Sequence, residues 1–222
     1  MTRYVLRDDL SCCQVADQLV FLDIGNDQYF RLPNLMERAL VAHLNGDSNG
    51  DISKLIERGI LVAQEGVPIE AQPSIEPVAG SAMEAPHPER KPSSREILEV
   101  LVIVMTTRLE LKLSALRKIL GSLTATSYIQ AAQADLPELL ERRISDAAAT
   151  FRQARLYVPV EMTCLLDAIA MARFLRRRKL HANIVFGVAL DPFSAHCWVQ
   201  AGDLVLNDTV GNVCAHTPIR VV

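Results

Sequence analysis

Residues 160–208 read VEMTCLLDAIAMARFLRRRKLHANIVFGVALDPFSAHCWVQAGDLVLND, and three kinds of patterning follow one another within them. Behind Pro159, apolar side chains recur at helical spacing over residues 160–178. Residues 182–190, 195–201 and 203–207 are then short strand-like runs, the last two separated by a turn at Gly202. Upstream, helical spacing covers residues 95–120, a stretch too long for one uninterrupted helix, and residues 136–157. Helices followed by antiparallel strands predict an α+β domain over residues 95–222.

Ahead of it, residues 66–94 hold six of the eleven prolines and follow neither a helical nor a strand period, which predicts an extended, semi-stiff linker. Residues 1–65 form a second, smaller module. Residues 18–24 and 28–32 are strand-like and joined by Gly25-Asn26-Asp27, a hairpin turn, and an earlier strand is expected within residues 4–6. Residues 35–44 carry apolar positions at helical spacing, and Asp51 is placed to cap a short helix that Gly59 ends. Three strands with two helices give this module a winged-helix character.

The 222 residues carry a formal net charge of -3, and residues 1–65 hold 6 basic against 10 acidic side chains. A phosphate backbone would be repelled by that module, so nucleic acid is excluded as the main partner. The N-terminus, with Arg3, Arg7, Asp8 and Asp9, lacks the apolar run of an export signal, and residues 97–105 fall far short of the roughly 20 apolar residues of a membrane span. A cytoplasmic protein is expected, and its five cysteines are read one by one rather than as a disulfide framework.

Cys164 lies near the start of the helix, where unsatisfied N–H groups and partial positive charge favour a thiolate over a thiol. A packed cysteine is the plain alternative. His196 follows 32 positions later on a strand and Asp208 another 12 positions on, at the end of the next. Cys, then His, then an acid is the chain order of thiol hydrolases, in which His activates the sulfur and the acid orients His. The hairpin around Gly202 brings His196 and Asp208 onto neighbouring strands. Zinc held by His196, Cys197, Cys214 and His216 is disfavoured because adjacent strand residues point to opposite faces, so no metal site is expected. Cys12-Cys13 reads as packing, Arg176–Lys179 as cations complementing the helix C-terminus, and Trp198 as a core side chain that also walls the cleft beside His196.

The run from Cys164 through PFSAHCWV to LND resembles the transglutaminase-like cysteine peptidases of lasso-peptide biosynthesis, usually called B proteins. The resemblance implies a papain-like thiol peptidase in which Cys164 is the nucleophile, His196 the base and Asp208 the orienting acid, with no cofactor. It implies removal of the leader from a ribosomally made precursor peptide, the core passing to an ATP-using, asparagine-synthetase-like cyclase. The chain departs from the family pattern at Asp167-Ala168, where an Arg-Ser pair is expected, and at Lys179-Leu180, where a glycine is expected. FLDIGNDQYFRLP in the small module resembles the leader-recognition element of such pathways, in which the leader adds a strand to a sheet edge. That likeness implies leader contacts from Tyr29, Phe30, Arg31 and Leu32 and, on the short helix, Leu55. Acyl transfer by the same triad, and a leader-binding scaffold without catalysis, are the rival readings.

Overall fold

The computed structural model describes residues 3–46, 51–64, 75–84, 91–130 and 137–222. They fall into two compact units, residues 1–72 and 73–222.

In the first unit, β2 (Leu10–Val15), β3 (Gln18–Asp23) and β4 (Gln28–Phe30) form an antiparallel sheet in the order β2-β3-β4. β1 (Arg3–Leu6) lies outside it and pairs with β5 (Leu61–Gln64), so residues 4–6 are a strand, but not the third strand of the hairpin sheet. That place belongs to β2, hidden in the sequence because its inward and outward residues do not alternate cleanly. The β3–β4 turn works differently from its sequence reading. Positive φ falls on Asp27, while a Cβ at Gly25 would crowd the Asp9 and Asp23 carboxylates. The Asp23 carboxylate accepts from the Gly25 and Asn26 N–H groups, closing the turn from below.

Helices α1 (Asn34–Leu44) and α2 (Ser53–Glu57) complete the unit, with Asp51 Oδ1 accepting from Ser53 N at the entry to the second. Phe21, Leu40, Leu55 and Leu61 are buried together, and Phe21 stacks on Phe30 of β4 with ring centroids 5.1 Å apart. Such a pair contributes on the order of 1 kcal/mol beyond its burial.

The second unit is a mixed helical and strand fold. α3 (Ser94–Leu113) begins at a capping box between Ser93 and Glu96 and breaks at Ser114, after which α4 (Leu116–Gln130) starts. α5 (Pro137–Arg155) and α6 (Cys164–Arg177) follow. The sheet has the order β10-β7-β8-β9-β6, built from β7 (Asn183–Ala189), β8 (Ser194–Ala201), β9 (Leu204–Val205), β10 (Thr217–Val221) and β6 (Gly80–Ser81), with a short helix α7 (Val210–Cys214) before β10. α6 is the hub. It packs on β8 and β7 on one side and on α3 and α5 on the other, burying Leu166, Ile169, Met171, Phe174 and Leu175.

Ion pairs fasten that hub at its far end: Arg178 binds Glu99 through both guanidinium nitrogens at 3.0 and 2.8 Å, and Arg173 reaches Glu110. The helix then closes in a Schellman motif, with Lys179 N donating to Arg176 O and Leu180 N to Leu175 O. Lys179 takes φ 58°, the conformation glycine adopts without cost. Arg178 also lies over the Phe174 ring, 3.5 Å from its centroid, so the basic run takes part in ion pairing, stacking and helix closure.

Part of the stretch read as a linker belongs to this sheet. β6 runs parallel to β9, Ile75 and Val78 pack against the core around Trp198, and Gln200 Nε2 donates to Glu76 O at 2.8 Å. The proline content predicts an extended linker, and proline is compatible with an extended segment leading into an edge strand, which β6 is. Residues 66–74 and 85–90 lie outside the described residues.

Candidate active site

Three segments converge on one place. α6 delivers Cys164 as its first residue, exposed, with Thr163 in extended conformation as the N-cap. The Thr163 side chain makes no cap bond, so it does not occupy the first-turn N–H groups of the helix. β8 delivers His196 and Cys197, and the chain leaving β9 delivers Asp208.

Local structure explains the LND signature. Leu206 is fully buried and its N–H donates to Val199 O. Asn207 Oδ1 accepts from Val199 N at 2.7 Å, so its side chain continues the ladder where the backbone leaves it. Asp208 is thereby turned back toward β8, where its Oδ2 accepts from His196 Nε2. Its other oxygen takes the Thr209 N–H at 2.7 Å, and Asn212 Nδ2 donates to Oδ2 at 2.8 Å. Ser81 of β6 donates to the Asp208 carbonyl at 2.5 Å, so the supposed linker also pins the acid.

With Nε2 engaged by Asp208, Nδ1 of His196 is left for the sulfur. Cys164 hydrogen-bonds to the Cys197 side chain and to His196 and receives the Cys197 backbone N–H, and these contacts hold its thiol down at about 4 against the opposing effect of burial. The hydrogen bond with Cys164, assisted by Asp208, raises the His196 pKa above its ordinary value, and the Cys197 thiol is pushed up by the same sulfur and by burial. The sulfur is therefore held as a thiolate at neutral pH, beside an imidazole whose protonated form is favoured, and the thiolate is the nucleophilic form of sulfur. Cys197 joins the site although it sits next to His196 on a strand, which the alternation of strand faces does not predict.

Behind His196 lies Trp198, 1% exposed, with ring centroids 6.2 Å apart and its indole N–H donated to Gln200 Oε1 at 3.0 Å. It is core and backing wall at once. His216 completes the surroundings: its ring centroid is 5.3 Å from that of His196, its Nδ1 bonds Asn212 O and its Nε2 bonds Ser194 Oγ. Ser81 and Asn212 are site residues the sequence reading lacks, and Cys197 and His216 enter it only as disfavoured zinc ligands; the closeness of Cys197 to His196 and of Asn212 to LND in sequence is the signal that pointed to them. Among the described residues no group of three or more His, Cys, Asp or Glu is arranged to hold a metal ion.

The residues expected to contact a leader are dispersed. Tyr29 and Phe30 lie on β4, an edge strand of its sheet, where Phe30 is half-buried against Phe21. Arg31 is exposed and lines a groove of about 540 Å³ together with Asp17, Glu37 and Arg38. Leu32 and Leu55 are 6% and 0% exposed, so they shape the module from inside and present no surface to a ligand. In both, the apolar side chain that looked like a contact was needed by the core.

Residues 103–221, more than half of the chain, match the Transglutaminase-like superfamily, and the chain belongs to it. The Microcin J25-processing protein McjB of Escherichia coli is 42% identical over 45 residues, a stretch covering 20% of this chain and 22% of that protein. The similarity thus spans about a fifth of the relative. No solved structure matches the chain. Among the described residues no helix is long and apolar enough to cross a membrane.

Proposed function

We propose that this protein is a cytoplasmic cysteine peptidase that removes the leader of a lasso-type precursor peptide. The observation that carries the reading is the Cys164 sulfur bonded to a His196 whose far nitrogen is held by Asp208. The superfamily, whose members are thiol hydrolases or acyl transferases, and the short likeness to a microcin-processing protein support it.

In this reading the Cys164 thiolate attacks the carbonyl carbon before the scissile bond. The oxyanion that forms is stabilised by first-turn N–H groups of α6, the Cys164 N–H foremost. His196, protonated by its bonds to sulfur and Asp208, gives its proton to the departing amine of the core. A water molecule, deprotonated by His196, then attacks the thioester and releases the leader as a carboxylate. Asp208 keeps the imidazole oriented throughout, and Asn212 and Ser81 keep Asp208 in place. The freed core amine passes to an asparagine-synthetase-like cyclase. The module of residues 1–65 captures the leader along the β4 edge by strand addition, with Tyr29, Phe30 and Arg31 at that edge, and tethering raises the local concentration of the scissile bond.

The test is incubation with a precursor encoded beside the gene, followed by mass spectrometry. Free leader and free core are expected, Cys164→Ala should abolish both products, and leader binding should survive that substitution. An intact precursor carrying a new amide would assign the chain to acyl transfer, and unchanged maturation with Cys164→Ala would make it a binding scaffold.

A further inference from the structure

Arg155, the last residue of α5, is 3% exposed. A guanidinium is kept in such a place only if its donors are met. Its Nε donates to Asp167 Oδ1 at 2.6 Å, Nη1 to Val158 O at 3.2 Å, and Nη2 to Val160 O at 3.0 Å and Glu161 O at 3.2 Å. Those three carbonyls belong to the loop that runs from α5 to Cys164. Asp167 lies almost one turn into α6, and its carboxylate also receives the backbone N–H of Thr163, the residue before Cys164. The helix start is thus capped from within by Asp167, since the Thr163 side chain makes no cap bond.

This arrangement has an electrostatic cost. A carboxylate near a thiolate opposes its ionisation; burial, and after it the charge on Cys164, raises the Asp167 pKa against the pull of Arg155. The groups that face the sulfur are His196 and Cys197 from β8, with Asp208 behind His196, and Asp167 on its own helix; α5 answers through Arg155.

Resting on the reading of Cys164 as nucleophile, we propose that Arg155 and Asp167 are a positioning pair for that sulfur. Asp167 fixes the N–H just ahead of Cys164, while Arg155 cancels the carboxylate's charge and ties down the loop that delivers the helix start. Neither touches the substrate. The arginine lowers the electrostatic cost of an aspartate in this place, and the two residues are 12 positions apart in the sequence.

The test follows the pH dependence of Cys164 carboxamidomethylation in the full chain, mapped by peptide mass, which needs no precursor and so stands apart from the cleavage assay. Arg155→Gln should raise the midpoint by about one pH unit, a tenfold change in the thiolate-to-thiol ratio. Arg155→Lys, which keeps the charge, should leave the midpoint within about 0.3 units of the parent, and Arg155→Gln with Asp167→Asn should return it there. A purely structural role would move the Gln and Lys variants alike, and that result overturns the proposal. If the Arg155 variants fail to fold, Asp167→Asn decides alone: a midpoint below the parent's supports the pair, and one that is unmoved or raised refutes it. Should the parent show this pattern yet cut no precursor, the peptidase reading falls and the positioning pair stands.

Discussion

Replacing Gly187 with alanine puts the architecture behind His196 under direct load. Gly187 of β7 stands opposite His196 in the β7–β8 register, on the face that also carries Trp198. A Cβ at this position would lie 2.6 Å from Trp198 Cζ3, 2.9 Å from Cη2 and 3.0 Å from His216 Cβ. Carbon atoms rest at roughly 3.5–4.0 Å, so the methyl intrudes by about 1 Å. The indole cannot retreat freely, being 1% exposed and tied to Gln200. Overpacking costs about 1–3 kcal/mol, and loss of the indole hydrogen bond adds about 1. For a unit of this size the melting temperature should fall by roughly 5–15 °C. Trp198 is the chain's one tryptophan, so its fluorescence reports this site without interference. Calorimetry of the catalytic unit's transition, with the emission maximum alongside, makes the measurement. A variant that melts within 1 °C of the parent with unshifted emission would refute the packing argument.

Two further substitutions probe other joints. Lys179→Gly removes a side chain from a left-handed position, φ 58°, and should stabilise the catalytic unit by about 0.5–1 kcal/mol, readable as a higher denaturant midpoint at unchanged slope. Asn212→Ala deprives Asp208 of one of its donors while leaving those from His196 and Thr209; cleavage should fall about tenfold in kcat/KM with melting nearly unchanged, and parental kinetics would remove Asn212 from the orienting network.

The transglutaminase-like half was readable where chemistry and period coincide. Cys164 opens its helix, β7 and β8 lie within a residue of the runs that announced them, and His196 meets Asp208. Helix α6 starts later than its apolar pattern, because residues 158–161 are held out of the helix by Arg155, a partner no local pattern reveals. Long-range partners account for the other gaps. β5 and β6 are short and exist because β1 and β9 pair with them. Ser81 lies 127 positions from the carbonyl it binds. Leu32 and Leu55 were assigned to a binding surface because an apolar side chain on a strand or short helix looks the same in sequence whether it faces a ligand or a core.

The central claim is that one sulfur is kept ionised by the residues gathered around it, and the sign of its pH dependence follows from that. A thiol whose folded pKa is depressed to about 4 from an ordinary 9.0 holds its thiolate at and above neutrality and loses it only as pH falls through about 4. The raised His196 pKa keeps the imidazolium opposite it past the ordinary 6.5. The rate of Cys164 carboxamidomethylation against pH, resolved by peptide mass from the other exposed thiol, Cys214, measures this directly. An acid limb with its midpoint near 4 is expected in the parent, displaced upward by His196→Ala. A parent midpoint near 9.0, indifferent to the loss of His196, would contradict it.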